Sequence, residues 1–193
     1  MIERRYINSD FEIRAKDGKK TLRGYALKFG VPYDMGFFTE EIAAGALDEA
    51  DMSDVRILFN HDPNLILGRT SAGTARIAID KTGLFYEAEL PDSPNGENVR
   101  VALERGDITQ SSWGFQLEYD YENPPAEWTR KDGKDYRTIT KVKRVFDASP
   151  VTFPANPDTT AAQRSLDEYK KRLQESEMKS KLAEIDCILA SCQ

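Results

Sequence analysis

Three side chains could do hydrolytic chemistry together, and each is ambiguous alone. The chain holds a single histidine, His61. Imidazole is the side chain best suited to take and return a proton near neutral pH. In a chain this long, a lone histidine is more often an ordinary surface or core residue. Its setting shifts that balance. It follows the apolar run Val55 to Phe59, between Asn60 and Asp62, and Pro63 biases Asp62 away from helix. His61 is therefore expected at a strand end or in a loop, where a site would present it. The second element is Arg105-Gly106-Asp107-Ile108-Thr109-Gln110-Ser111-Ser112-Trp113-Gly114-Phe115. A serine nucleophile needs a base for its proton and N–H donors for the oxyanion. Two serines start an aromatic strand here, and Gly114 would let backbone and substrate come close. Without a base, the pair reads as the polar start of a strand. Alternation points Ser111 and Ser112 to opposite faces, so only one can meet His61. The third element is Asp147, which interrupts an otherwise apolar strand. A carboxylate there needs a partner or a task. Orienting an imidazole is one such task; capping the turn before Pro150 is another. The chain has no Gly-x-Ser-x-Gly elbow, so nothing supports an α/β-hydrolase.

The elements that must position these groups are mostly short strands. Thr21 to Phe29 is rich in strand formers and follows the turn Lys16-Asp17-Gly18-Lys19. Ala75 to Ile79 and Leu84 to Leu90 alternate around Asp80-Lys81-Thr82-Gly83, which predicts a hairpin. Ser112 to Tyr121 places Trp113, Phe115, Leu117 and Tyr119 on one face. Tyr136 to Phe146 is expected to return as one strand. Two helices are expected among them, one from about Glu40 to Ala50 and one from Asn95 or Gly96 to just before Gly106. The fold class read from this pattern is β-rich α+β: a mostly antiparallel β-barrel surrounded by helices.

Composition changes after Pro157. From Thr159 to Gln193 there is no Gly or Pro, and charges of both signs alternate. Leu166, Tyr169 and Leu173 form one helical stripe; Met178, Leu182, Ile185 and Leu189 form another, out of phase with it. The expected division is a barrel domain over 1–157 and an amphipathic helical tail over 158–193. Such a tail could dock on a partner or a second copy, or cover its own domain's edge.

Bulk properties narrow the function classes. The 193 residues are 39% hydrophobic and 31% charged, with aromatic residues enough for a core of one domain. The formal net charge of −6 argues against nucleic-acid binding, which needs a basic face. Cys187 and Cys192 both lie in the tail, so no disulfide framework is implied. One histidine and no internal cysteine leave no zinc site of the usual kind, and no cofactor motif is present. No apolar run is long enough to span a bilayer, and no apolar stretch of signal-peptide type follows Met1 to Tyr6. The expectation is a cytoplasmic protein without metal, cofactor or membrane.

The ordered set of short motifs resembles the tailed-phage prohead protease family. It runs through Gly24-Tyr25-Ala26, Glu41-Ile42, Gly45-Ala46-Leu47, Asn60-His61-Asp62, Leu67-Gly68-Arg69, Gly106-Asp107-Ile108, Ser112-Trp113-Gly114-Phe115, Asp147-Ala148-Ser149-Pro150-Val151-Thr152 and Pro154-Ala155-Asn156-Pro157. The resemblance covers Gly24 to Pro157. It implies a serine endopeptidase acting inside the immature phage capsid, in the host cytoplasm, with a fold similar to the herpesvirus assembly proteases. The family's histidine falls on His61, its serine on Ser112 and its acid on Asp147. This chain departs from the family twice. Asp147 stands where Glu is common, a shorter arm needing a closer backbone. Ser111 stands where Met is common, which leaves Ser111 as an alternative nucleophile. The herpesvirus enzymes use a second histidine, which this chain lacks. Backbone N–H groups around Arg69 or Gly114, or the Arg69 side chain, are candidate oxyanion donors. The implied partners are the major capsid protein, its scaffold segment and a second copy of the chain; self-cleavage after about residue 157 would remove the tail. Two rival classes remain: a catalytically inactive assembly or scaffolding barrel, and an esterase using the same groups.

Overall fold

The computed structural model describes residues 2–120, 122–153 and 159–191. Pro154 to Pro157, and with them the expected cleavage point, lie outside the described residues, as do the side chains of Cys187 and Cys192. The chain divides into two units, Met1–Pro157 and Asp158–Gln193.

Thirteen strands and one helix make up the described part of the first unit. In chain order the strands are β1 (Glu3–Asn8), β2 (Glu12–Lys16), β3 (Lys19–Lys28), β4 (Tyr33–Asp34), β5 (Thr39–Ile42), β6 (Arg56–Phe59) and β7 (Asp62–Arg69). They continue with β8 (Ala75–Ile79), β9 (Gly83–Glu89), β10 (Gln110–Gln116), β11 (Ala126–Lys131), β12 (Lys134–Ile139) and β13 (Arg144–Val151). A short 3-10 turn, Thr70–Ala72, follows β7. The helix α1 (Pro94–Arg105) has a conventional frame: Ser93 caps its N-terminus by accepting from the Gly96 N–H, Pro94 opens it, and Gly106 closes it with φ +77°.

The strands form three sheets, ordered β1-β10-β13-β6-β7, β11-β12-β5-β4 and β2-β3-β9-β8. Most ladders are antiparallel, with β12–β5 and β13–β6 parallel. The protein is β-rich as expected, but none of the three sheets closes into a barrel. Alternation along a strand reports one buried face and is silent on which strand pairs with which. A barrel was an extrapolation from that pattern, and here the ladder is interrupted between sheets.

Two local expectations also change. Glu40 to Ala50 is not a helix. Glu40 and Ile42 are buried and their neighbours half-buried, a strand period that a buried acid disguises. Beyond β5 the chain runs through short turns, with Ala46 N–H donating to Ala43 O, Asp48 N–H to Gly45 O and Ala50 N–H to Leu47 O; Gly45 has φ +89°. The expected strand from Tyr136 to Phe146 is two strands in different sheets. Between them the N–H groups of Thr140 and Lys141 donate to Pro125 O, and that of Val142 to Ala46 O. The hairpin at Asp80–Gly83 is present, with Asp80 Oδ1 accepting from the N–H groups of Thr82 and Gly83.

Side chains join the first two sheets where backbone pairing does not. Glu40 on β5 is fully buried between Arg5 of β1 and Arg137 of β12. Its carboxylate accepts from Arg5 Nε at 2.5 Å and from Arg137 Nη1 at 2.8 Å. Glu3 adds a second carboxylate, 2.8 Å from Arg5 Nη2. Burial alone would lower the pKa of Arg5; the attraction of Glu40 and Glu3 outweighs it and holds the guanidinium above its ordinary value. Beside this cluster, the Trp113 and Phe115 rings of β10 stack with centroids 4.0 Å apart, and the Arg5 guanidinium lies over Phe115.

The second unit is described as one helix, α2 (Thr159–Ser191), where a helical tail was expected. Leu173, Met178 and Leu182 on it are exposed.

Glu40→Ala would leave two buried guanidiniums short of their main partner. It is expected to lower unfolding free energy by about 3–5 kcal/mol, measured from urea transitions; a loss under about 1 kcal/mol would contradict the structural role given to this cluster.

Candidate active site

His61 sits in the tightest turn of the first sheet. Phe59 pairs with Asp62, so Asn60 and His61 are the two residues that connect β6 to β7. Both have positive φ, +54° and +57°. That is the twist a two-residue hairpin wants, and Asn-Gly is its usual sequence. Asn tolerates the conformation; His does so at a cost on the order of 1 kcal/mol. Strain of this kind at a non-glycine residue is a recognised mark of a functional position.

Asn60 fastens the turn to β13. Its Oδ1 accepts from Thr152 N–H at 2.8 Å, its Nδ2 donates to Thr152 Oγ1 at 3.1 Å, and its backbone N–H donates to Pro150 O at 3.1 Å. The strand that carries the acid is thus bound to the turn that carries the imidazole.

Register decides which side chains face the turn. Ser112 on β10 lies opposite Ser149 on β13, and Gly114 opposite Asp147. All four stand on one face. The ladder then slips: Phe115 pairs with Val145, leaving Phe146 as an extra residue. This bulge turns Val145 to the same face as Phe115 and Asp147 to the face of Ser112. Regular alternation would have sent both β13 side chains the same way. Gly114 also has a steric purpose. A Cβ there would come 2.5 Å from Asp147 Oδ2, so only glycine leaves the carboxylate its place. Room for Asp147 is thus a reason for this glycine that the sequence alone did not show.

The result is a continuous hydrogen-bonded chain. His61 Nδ1 lies 2.5 Å from Asp147 Oδ1, and His61 Nε2 lies 2.6 Å from Ser112 Oγ. An ionised carboxylate can only accept, so Nδ1 carries the proton and donates it to Asp147. Nε2 is then the acceptor, and the Ser112 hydroxyl donates to it. The His61 and Asp147 side chains are 7% and 9% exposed and Ser112 is 1% exposed, so water competes little with these bonds. All three residues singled out in the sequence therefore meet. The shorter Asp147 reaches the imidazole because the parallel pairing of Asp147 with Arg56 on β6, and the Asn60 clamp, bring the strands together.

Ser111 does not meet His61. It points to the opposite face, where its Oγ lies 3.2 Å from Tyr86 Oη, and burial pushes the Tyr86 phenol above its ordinary pKa. Arg69 is engaged through its backbone N–H and two of its guanidinium nitrogens. Its N–H donates to Thr74 Oγ1 at 2.9 Å, and its guanidinium holds Asp54 at 2.7 and 2.8 Å. The side-chain hydrogen bond from Arg69 keeps the half-buried Asp54 carboxyl well below its usual range.

Chemically, this is a hydroxyl, a base and an orienting acid in the order that acyl transfer requires. A model of the family described as Caudovirus prohead serine protease matches residues 9–172. The chain belongs to this family. Among solved structures, that of the bacteriophage T4 capsid assembly protease, gp21, aligns with a TM-score of 0.41 at 11% identity, over 77% of this chain and 96% of that one. No curated protein matches.

Three features of this prohead protease were not assigned from sequence. Asn60 carried a signal, since Asn before another residue between two strands favours positive φ. Ser149 carried one too: Asp147 and Ser149, two apart on a strand, share a face. The bulge at Phe146 had none.

Gly114→Ala is expected to displace the Asp147 carboxylate and lower peptidase turnover on the order of 100-fold, with the fold retained by circular dichroism. Turnover equal to wild type would contradict the steric role of Gly114.

Proposed function

We propose that this chain is a serine endopeptidase that works by acyl transfer, with Ser112 as nucleophile, His61 as general base and Asp147 holding the imidazole. The observation that carries the reading is the unbroken chain from Ser112 Oγ through both imidazole nitrogens to Asp147 Oδ1. Membership of the prohead protease family supports the choice of a peptide bond over an ester. In the first step Ser112 Oγ attacks the scissile carbonyl carbon while its proton passes to His61 Nε2. The imidazolium so formed is stabilised by Asp147, which stays ionised. His61 then returns that proton to the leaving amine, the C–N bond breaks, and an acyl-enzyme remains on Ser112. Water attacks the acyl carbon, gives its proton to Nε2, and Ser112 takes it back as the acid product leaves. A catalytically inactive assembly protein, the main rival, gives no use to a strained His61 buried against Ser112 and Asp147.

The proposed substrates are the scaffold segment of the major capsid protein and the chain itself, inside the immature capsid. Residues 1–157 would be the catalytic domain. The helical tail over 158–193 would serve recruitment or self-association until self-cleavage removes it. The exposed apolar residues Leu173, Met178 and Leu182 are consistent with a surface made for a partner.

The test is the intact mass of purified protein followed over time, wild type beside Ser112→Ala. Wild type is expected to shorten at discrete sites near the tail, and the variant to do so roughly 10⁴–10⁶-fold more slowly. Equal shortening of both would remove Ser112 from the role of nucleophile.

A further inference from the structure

Ser149 touches both acidic and basic members of the site, and the mechanism above gives it no task. It is fully buried and lies opposite Ser112 in the β10–β13 register. Its Oγ is 2.9 Å from Asp147 Oδ1 and 3.3 Å from His61 Nδ1. A hydroxyl has one proton and two lone pairs. The carboxylate oxygen can only accept, so the Ser149 proton goes to Oδ1. A lone pair of Oγ is then left toward Nδ1, whose own N–H points at the same Oδ1. The opposite tautomer would set an imidazole lone pair against the carboxylate at 2.5 Å, and Ser149 could donate to Nδ1 only by giving up its shorter bond to Oδ1. Ser149 thus closes a three-membered arrangement that favours one protonation pattern.

The need for such a group follows from the neighbours. The torsion that turns an Asp carboxylate about its Cβ–Cγ bond is broad and soft. On the Oδ2 side, Gly114 presents no side chain to stop the rotation. A hydrogen bond on the Oδ1 side is what holds the carboxylate toward the imidazole.

We propose that Ser149 is a positioning residue for this protease. It fixes the rotation of the Asp147 carboxylate and keeps the His61 proton on Nδ1, so that Nε2 is free to accept from Ser112. The inference rests on the acyl-transfer reading given above.

Because the chain has one histidine, its imidazole nitrogens give an unambiguous ¹⁵N NMR signature. The full chain, ¹⁵N-labelled at histidine and carrying Ser112→Ala to stop processing, is compared with the same chain also carrying Ser149→Ala. In parallel, self-processing is timed in wild type, Ser112→Ala, Ser149→Ala and Ser149→Thr. The neutral imidazole is expected to hold its proton on Nδ1, and Ser149→Ala to raise the fraction with the proton on Nε2. Processing by Ser149→Ala is expected to slow roughly 10- to 100-fold, the usual effect of losing a partner that orients a site group, with Ser149→Thr recovering most of it. Wild-type tautomer balance in Ser149→Ala overturns the inference, even if processing slows along with a lowered unfolding midpoint, because that is a merely structural effect. If Ser149→Ala does not fold, Ser149→Cys, a poor donor of similar size, takes its place in the same tautomer measurement. Processing by Ser112→Ala at wild-type rate would remove the acyl-transfer reading and this inference with it; loss of processing in Ser112→Ala beside normal processing and tautomer in Ser149→Ala removes the inference alone.

Discussion

A single extra residue in β13, Phe146, lets one strand serve two masters. Val145 must lie in the core against Phe115, and Asp147 must face Ser112. They are two positions apart, and in a regular ladder both would point the same way. The bulge resolves the conflict at the one place where the opposite strand offers Gly114, whose missing side chain gives the carboxylate its space. Bulge, glycine and acid depend on one another. Shifting the register by one residue would bury Asp147 among aromatic rings and expose Val145 at the site.

Around that device, the site is held by strands from distant parts of the chain. β10 brings Ser112, β13 brings Asp147 and Ser149, and the β6–β7 turn brings His61. The turn is strained at His61, and the three bonds that Asn60 makes with Pro150 of β13 and with Thr152 just past its end hold it there. On the opposite face, the Arg5–Glu40–Arg137 cluster ties β1 to β5 and β12. A buried ion cluster of this kind is weak evidence for net stability, because desolvation offsets much of the attraction. Its use here is placement: it joins the edge strand β1 of one sheet to the inner strands β5 and β12 of another with which it shares no backbone ladder, and it sits under the Trp113–Phe115 stack of the strand that presents Ser112.

Much of this was legible in the sequence, for reasons that can be named. The Asp80–Gly83 hairpin and the ends of α1 are set by local chemistry, turn residues and caps, and local chemistry is what a sequence displays. His61, Ser112 and Asp147 were each ambiguous by residue type and setting; the ordered set of motifs shared with the prohead protease family is what picked them out together. Glu40 misled because an acid reads as exposed, so its place in the buried period of β5 was hidden until Arg5 and Arg137 appeared beside it. Sheet closure misled because pairing between distant strands leaves no local mark. The choice between Ser111 and Ser112 needed the register, which puts Ser111 against Tyr86 and Ser112 against His61.

The central claim is that His61 activates Ser112 and no other hydroxyl. A fluorophosphonate reacts covalently with an activated serine and needs no knowledge of the natural substrate. The most direct measurement is to label the full chain with such a probe and locate the adduct by fragment-ion mass spectrometry, in wild type and in His61→Ala. The account predicts one adduct, on Ser112, lost in His61→Ala. An adduct on Ser111, or equal labelling of Ser112 with and without His61, would contradict it.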